Sequence, residues 1–153
     1  LNLIAESYKL PIIISTHPRT RNKIDDTEVK FHKLIQLMKP MGFYDYNHLQ
    51  KYSKAVLSDS GTISEESSIM NFPALNIRDT HERPEAMEEA SVMMVGMKTE
   101  RIMQCLKILE TQKRGDERSM RTVSDYSVPN VSEKVVRIVL SYTDYINRVV
   151  WNK

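Results

Sequence analysis

Residues 57 to 90, LSDSGTISEESSIMNFPALNIRDTHERPEAMEEA, set a small-residue turn, an acid pair and an arginine within one short span. At Asp59-Ser60-Gly61-Thr62 an apolar run stops and a helical pattern begins. Small residues there let backbone amides approach an anion, and the unpaired N–H groups and dipole of a helix start favour a phosphate. The same tetrapeptide can equally be a plain Ser or Asp helix cap. Glu65 and Glu66 follow about one turn later, their side chains about 100° apart, so one can face a ligand while the other points away. A carboxylate in that place can accept two hydrogen bonds from a vicinal diol such as a ribose, or it can simply offset the helix dipole.

Arg83 lies beyond the next apolar run, with Pro84 and Glu85 suited to open a short helix. An arginine there can clamp a phosphate bidentately, or pair with Asp79 or Glu82. His81 can be a ligand contact, an acid/base group or an exposed loop residue. His17 precedes Pro18, which forces an extended path and lets the ring project from a strand end, where it can also cap or pack. The four histidines show no metal-ligand spacing on a shared element, so no metal site is expected. Cys105 shares a helical face with Ile102, Leu106 and Leu109 and reads as a packing thiol, and the nine methionines read as core filler.

The elements that must position these groups are short. Leu1, Ile4, Ala5 and Tyr8 follow helical spacing without a capping residue before them, like a helix cut partway in a longer polypeptide. PIIIST (11–16) reads as a buried strand, and KLIQLM (33–38), AVLSD (55–59), PALNI (73–77) and VMMVG (92–96) read as further strands. Helical patterns fall near 45–53, 61–71, 84–90 and 99–112. This alternation predicts an α/β fold with a Rossmann-like, doubly wound parallel sheet, whose strand ends would gather His17, the 58–62 turn and the 78–83 loop on one rim. Residues 113–131 read as a surface loop. After it Ser132 precedes a long terminal helix, 132–150, with Val135, Val136, Val139, Tyr142, Ile146 and Val149 along one apolar stripe.

The 153 residues, 41% apolar and 27% charged, suit one domain. A net charge of +2 from 22 basic and 20 acidic residues is too balanced to imply a nucleic-acid or anionic-membrane partner. The basic knot Arg19–Lys23 reads as a solvated loop, with anion binding as the alternative. A single cysteine excludes an internal disulfide framework. Without a run of roughly 18 apolar residues or a secretion-signal layout at the start, the chain reads as cytoplasmic.

Taken together, THP, YDYNHL, SDSGTISEE and RDTHERPEAMEEA followed by VMMVG resemble the C-terminal half of the non-hydrolysing UDP-N-acetylglucosamine 2-epimerases. The linked pair DSG…EE and RDT.ERPE at this separation is the specific part of that likeness. The resemblance implies one half of a two-domain GT-B arrangement, with residues 1–153 as the nucleotide-binding C-terminal domain and the N-terminal domain absent. It implies that Ser60, Gly61 and Thr62 bind the diphosphate and Glu66 the ribose hydroxyls. Tyr46 matches an aromatic position whose backbone meets the uracil, Arg83 the arginine near the phosphates, and His17 the His-Pro histidine.

The implied reaction is inversion at C2 of a UDP-N-acetylhexosamine, by elimination of UDP and re-addition across the double bond with the opposite face of C2 protonated. Such chemistry needs a base for the C2 proton and electrostatic help for the departing diphosphate. The family's acid/base residues lie in the N-terminal portion, so these 153 residues are expected to be silent alone. No cofactor is implied, and the full-length enzyme is expected to be a homodimer acting on a UDP-sugar. Thr62 replaces the usual second glycine of DSGG, and His81 stands where Thr or Asn is common. Both resemble the branch that epimerises UDP-2-acetamido-2,6-dideoxy-L-talose to UDP-N-acetyl-L-fucosamine for capsule or O-antigen sugars. Two alternatives compete: a GT-B glycosyltransferase domain, which should lack RDT.ERPE, and a non-catalytic α/β interaction module, which should not bind UDP.

Overall fold

Each β-branched or apolar run of the chain forms a strand of two to four residues, and a helix follows each one. A computed structural model describes all of residues 1–153. The order is α1 (Asn2–Tyr8), β1 (Ile12–Ser15), α2 (Pro18–Asp25), β2 (Ile35–Met38), α3 (Phe43–Tyr52), β3 (Val56–Ser58), α4 (Ile63–Met70), β4 (Ala74–Asn76), α5 (Pro84–Glu88), β5 (Met93–Met94), α6 (Thr99–Leu109), a 3-10 turn (Ser124–Tyr126) and α7 (Val131–Val149).

All strand pairs are parallel, as the alternation predicts, but they form two ladders rather than one sheet. β1 pairs with β2 from Ile12↔Ile35 to Ser15↔Met38. β4 lies between β3 and β5, with Leu75 facing Leu57 on one side and Met93 on the other. The first ladder closes at Thr16, whose N–H and hydroxyl both donate to the Met38 carbonyl at 2.9 Å. β1 is not the buried strand its sequence suggests. Its side chains alternate between half-buried and exposed, and Ile13 is open, because only one face of this ladder is covered.

Two clusters make the core. Ile63, Phe72, Ala74, Ala86, Val92 and Val123 pack where α4 and α5 meet β4. Leu75, Val95, Cys105, Leu106 and Leu109 pack α6 against the other face, so Cys105 is the buried packing thiol its spacing predicts. The methionines divide: Met70, Met87, Met93 and Met103 border the clusters, whereas Met97 and Met120 are exposed. Ser64, Ser67 and Ser68 are buried on α4, where their small side chains bring the helix close to its neighbours.

Three expectations change. Arg19 to Lys23 lies on helix α2, not in a loop: Pro18 occupies the first turn, where its missing N–H costs nothing, and His17 caps it. The loop 113–131 contains the 3-10 turn and also secures two helix ends. Arg114 Nη2 donates to the carbonyls of Ser53 and Lys54 just past α3, and the Arg118 guanidinium donates to those of Ser68 and Ile69 on α4. Cations there meet otherwise unpaired carbonyls and the negative end of the helix dipole. Finally, α7 begins at Val131 with Asn130, not Ser132, at its cap, and it buries no residue, so the apolar stripe covers nothing within these 153 residues.

Candidate functional site

The turn between β3 and α4 is held by its own hydroxyls. Ser60 N–H donates to Ser58 Oγ (3.1 Å), Thr62 N–H donates to Ser60 Oγ (3.3 Å), and the Ser60 and Thr62 hydroxyls share a bond of 2.9 Å. The cap residue of α4 is Thr62, and no side chain caps the helix, so Ser60 orders the turn rather than capping the helix. The amides of Gly61, Ile63 and Glu65 find no acceptor in the chain, which leaves unpaired donors at the start of an eight-residue helix. Ser60 and Thr62 are exposed.

The 78–83 loop lies over this turn. A Cβ on Gly61 would stand 3.4 Å from Glu82 Oε2, so the Glu82 side chain lies in contact distance over the turn. Glu82 is in turn paired with Arg78 at 2.8 Å, a bond that holds its carboxyl below the usual range. Arg83 does make an ion pair, but with Glu65 rather than Asp79 or Glu82: Nε donates to Glu65 Oε1 at 2.7 Å. Nη1 donates to the Glu82 carbonyl at 3.1 Å, and Nη2 is left without an acceptor in the chain. The Glu65 bond raises the guanidinium pKa further, so Arg83 stays charged.

The two glutamates therefore part as helical geometry requires. Glu65 meets Arg83 at the start of α5, and Glu66, half-buried, turns to α3, where Gln50 Nε2 donates to its Oε2 at 2.5 Å. Tyr46, one turn before Gln50, is half-buried, and its phenol is pushed up first by burial and then by the charges of Glu66 and Asp59. Tyr46 N–H is engaged inside α3 with the Gly42 carbonyl. Behind Arg83, Tyr126 donates to Glu85 Oε1 at 2.8 Å; burial and that carboxylate raise the phenol pKa, while Glu85 is lowered by the same bond.

The structure brings Ser60, Gly61, Thr62, Glu66, Tyr46 and Arg83 around one helix start. His17 and His81 remain outside that network. His17 is exposed and uses Nδ1 to accept from Arg19 N–H at 3.3 Å, the capping role; His81 is exposed and makes no hydrogen bond. Sequence reasoning missed Gln50, Tyr126 and the Glu65–Arg83 pairing. The i,i+4 spacing of Tyr46 and Gln50 was the available signal for the first, since it places both on one face of α3.

The sequence profile described as UDP-N-acetylglucosamine 2-epimerase matches residues 1–140. The chain belongs to the UDP-N-acetylglucosamine 2-epimerase family. It is 31% identical over 146 residues to the UDP-N-acetylglucosamine 2-epimerase of Methanocaldococcus jannaschii, a match that covers 93% of this chain and 38% of that protein. Among solved structures, the UDP-N-acetylglucosamine 2-epimerase from Rickettsia bellii superimposes with a TM-score of 0.87 at 45% identity, over 99% of this chain and 42% of its own. The Methanocaldococcus jannaschii enzyme, solved in complex with UDP-GlcNAc and UDP, superimposes with a TM-score of 0.76 at 29% identity, over 91% of this chain and 38% of its own. The chain thus spans about two fifths of the length of these relatives and shares their α/β fold.

Proposed function

We propose that residues 1–153 are the UDP-binding, C-terminal part of a UDP-N-acetylhexosamine 2-epimerase. One observation carries this reading: the first turns of α4 carry the unpaired amides, the carboxylate of Glu66 and, through Glu65, the guanidinium of Arg83, in a chain of a family of which one relative was solved with UDP-GlcNAc and UDP. Gly61 presents its amide, with that of Ile63, and Ser60 and Thr62 present their hydroxyls to the diphosphate, and the helix dipole adds to that attraction. Glu66 accepts from the ribose hydroxyls, and Tyr46 lies on the nucleoside side. Arg83 turns its free Nη2 toward the phosphates while Glu65 holds its Nε. His17 has its Nε2 available at the His-Pro position.

The reaction on this reading removes the C2 proton and expels UDP from C1 to leave a 2-acetamidoglycal, then re-forms the C1–UDP bond as a proton returns to the opposite face of C2. Residues 1–153 supply the diphosphate grip; the groups that move the C2 proton belong to the remainder of the polypeptide. Thr62 and His81 favour the branch acting on UDP-2-acetamido-2,6-dideoxy-L-talose, with capsule or O-antigen precursors as products, in the cytoplasm and as a homodimer. A GT-B glycosyltransferase domain would share the nucleotide grip, but the run RDTHERPE speaks against it.

Calorimetry on the full-length protein tests the reading. UDP should bind, and Arg83→Ala should weaken it at least tenfold, about 1.4 kcal/mol or more. A heat-silent titration at millimolar UDP, the same in Arg83→Ala, would exclude it.

A further inference from the structure

Three buried side-chain atoms in the molecule have no hydrogen-bond partner: Gln50 Oε1, Glu65 Oε2 and Asn76 Oδ1. Such orphans are rare in folded proteins and call for a reason. Two of the three belong to side chains that hold a residue of the candidate site.

Gln50 is the clearer case. It is 3% exposed and the only buried residue of α3, whose other side chains, Leu49 included, are at least partly open. An amide has a donor end and an acceptor end, and only the donor end suits an ionised carboxylate. Turning the amide over would set its oxygen against Glu66 Oε2 at 2.5 Å, where two acceptors repel. The charge of Glu66 therefore fixes the amide, and Oε1 is left unpaired as a result. A buried methionine or leucine would fill the same space without that penalty, so an amide at this position points to its effect on Glu66.

We infer that Gln50 is a positioning residue: by anchoring Oε2 of Glu66, it fixes the carboxylate plane so that the remaining oxygen lone pairs face a ribose cis-diol. Tyr46, four residues earlier on the same face of α3, is near enough to feel the charge of Glu66. Pre-orientation of this kind improves discrimination between one hydroxyl and two, because a free carboxylate can rotate to suit either. The inference rests on the reading of Glu66 as the ribose group.

The test compares UDP with 2′-deoxy-UDP by calorimetry on full-length protein, in wild type, Gln50→Met, Glu66→Ala and the double variant. Gln50→Met should weaken UDP about tenfold, weaken 2′-deoxy-UDP much less, and add no loss in the Glu66→Ala background. Its thermal midpoint should change little, since the lost donor goes together with an orphaned acceptor; if Met does not fold, Gln50→Ala is read by the same ratio. Equal weakening of both nucleotides, or losses that add across the two sites, would overturn the inference while leaving UDP binding intact. Wild-type protein that binds the two nucleotides equally would instead remove the ribose role of Glu66 on which it stands.

Discussion

Glu65 and Glu66 are adjacent in sequence and opposite in task. One step along a helix turns a side chain by about 100°, which sends Glu65 to Arg83 on α5 and Glu66 to Gln50 on α3. The two acids therefore act on different neighbours, and substitutions should separate them. Glu66→Ala is expected to weaken UDP by about 2 kcal/mol, the scale of charge-assisted bonds to two hydroxyls, and to leave affinity for inorganic pyrophosphate unchanged. Parallel titrations with the two ligands measure this; equal losses would argue against the ribose role. Spacing made the divergence legible, but the partner of Arg83 was not. Asp79 and Glu82 are nearer in sequence, yet Glu82 is already engaged by Arg78, and α4 presents Glu65 within 2.7 Å.

At the scale of elements, α4 is gripped at its far end as well as used at its near end. Asn71 ends the helix in the left-handed region at φ 52 and donates through Nδ2 to the carbonyls of Gly115 and Glu117. Arg118 caps the last helical carbonyls, and Val123 N–H donates to Ser68 Oγ at 3.0 Å. The polar loop thus fixes the helix that presents the unpaired amides. Asn71→Ala should cost about 2–3 kcal/mol, from left-handed strain of about 1 kcal/mol and two lost bonds of about 1 kcal/mol each. Chemical denaturation measures the loss, and Asn71→Gly, which keeps the backbone freedom, should recover the strain part. A loop rich in Arg, Ser and Asp has no periodicity from which such contacts could be read.

The molecule as a whole has two modest apolar clusters and one long helix that joins neither. Stability of the 153-residue chain should follow that division. Phe72→Ala, at a site with no exposed surface, should cost about 3–5 kcal/mol through lost transfer energy and a cavity. Val139→Asp on α7, at a site 57% exposed, should change stability by no more than about 0.5 kcal/mol. Thermal unfolding at low protein concentration compares the two, and a large loss for Val139→Asp would show that α7 is part of the cooperative unit after all. Helix α7 is 19 residues long and its apolar face lies outside both clusters, so it contributes little to folding of the rest.

By itself the sequence determined the five strands and every helix except α2, the helix start after Ser60 to Thr62, the packing role of Cys105 and the family. These depend on local periodicity, on turn chemistry and on motifs that lie within a few residues of one another. Tertiary structure alone decided that the strands form two ladders, that β1 keeps one face open, that His17 caps a helix where a loop was expected, and that α7 buries nothing. It also decided the pairs Gln50–Glu66, Arg83–Glu65 and Tyr126–Glu85, separated by 16, 18 and 41 positions. Pairings at that distance depend on how helices dock, and a linear pattern of residue types does not encode docking until the chain is folded.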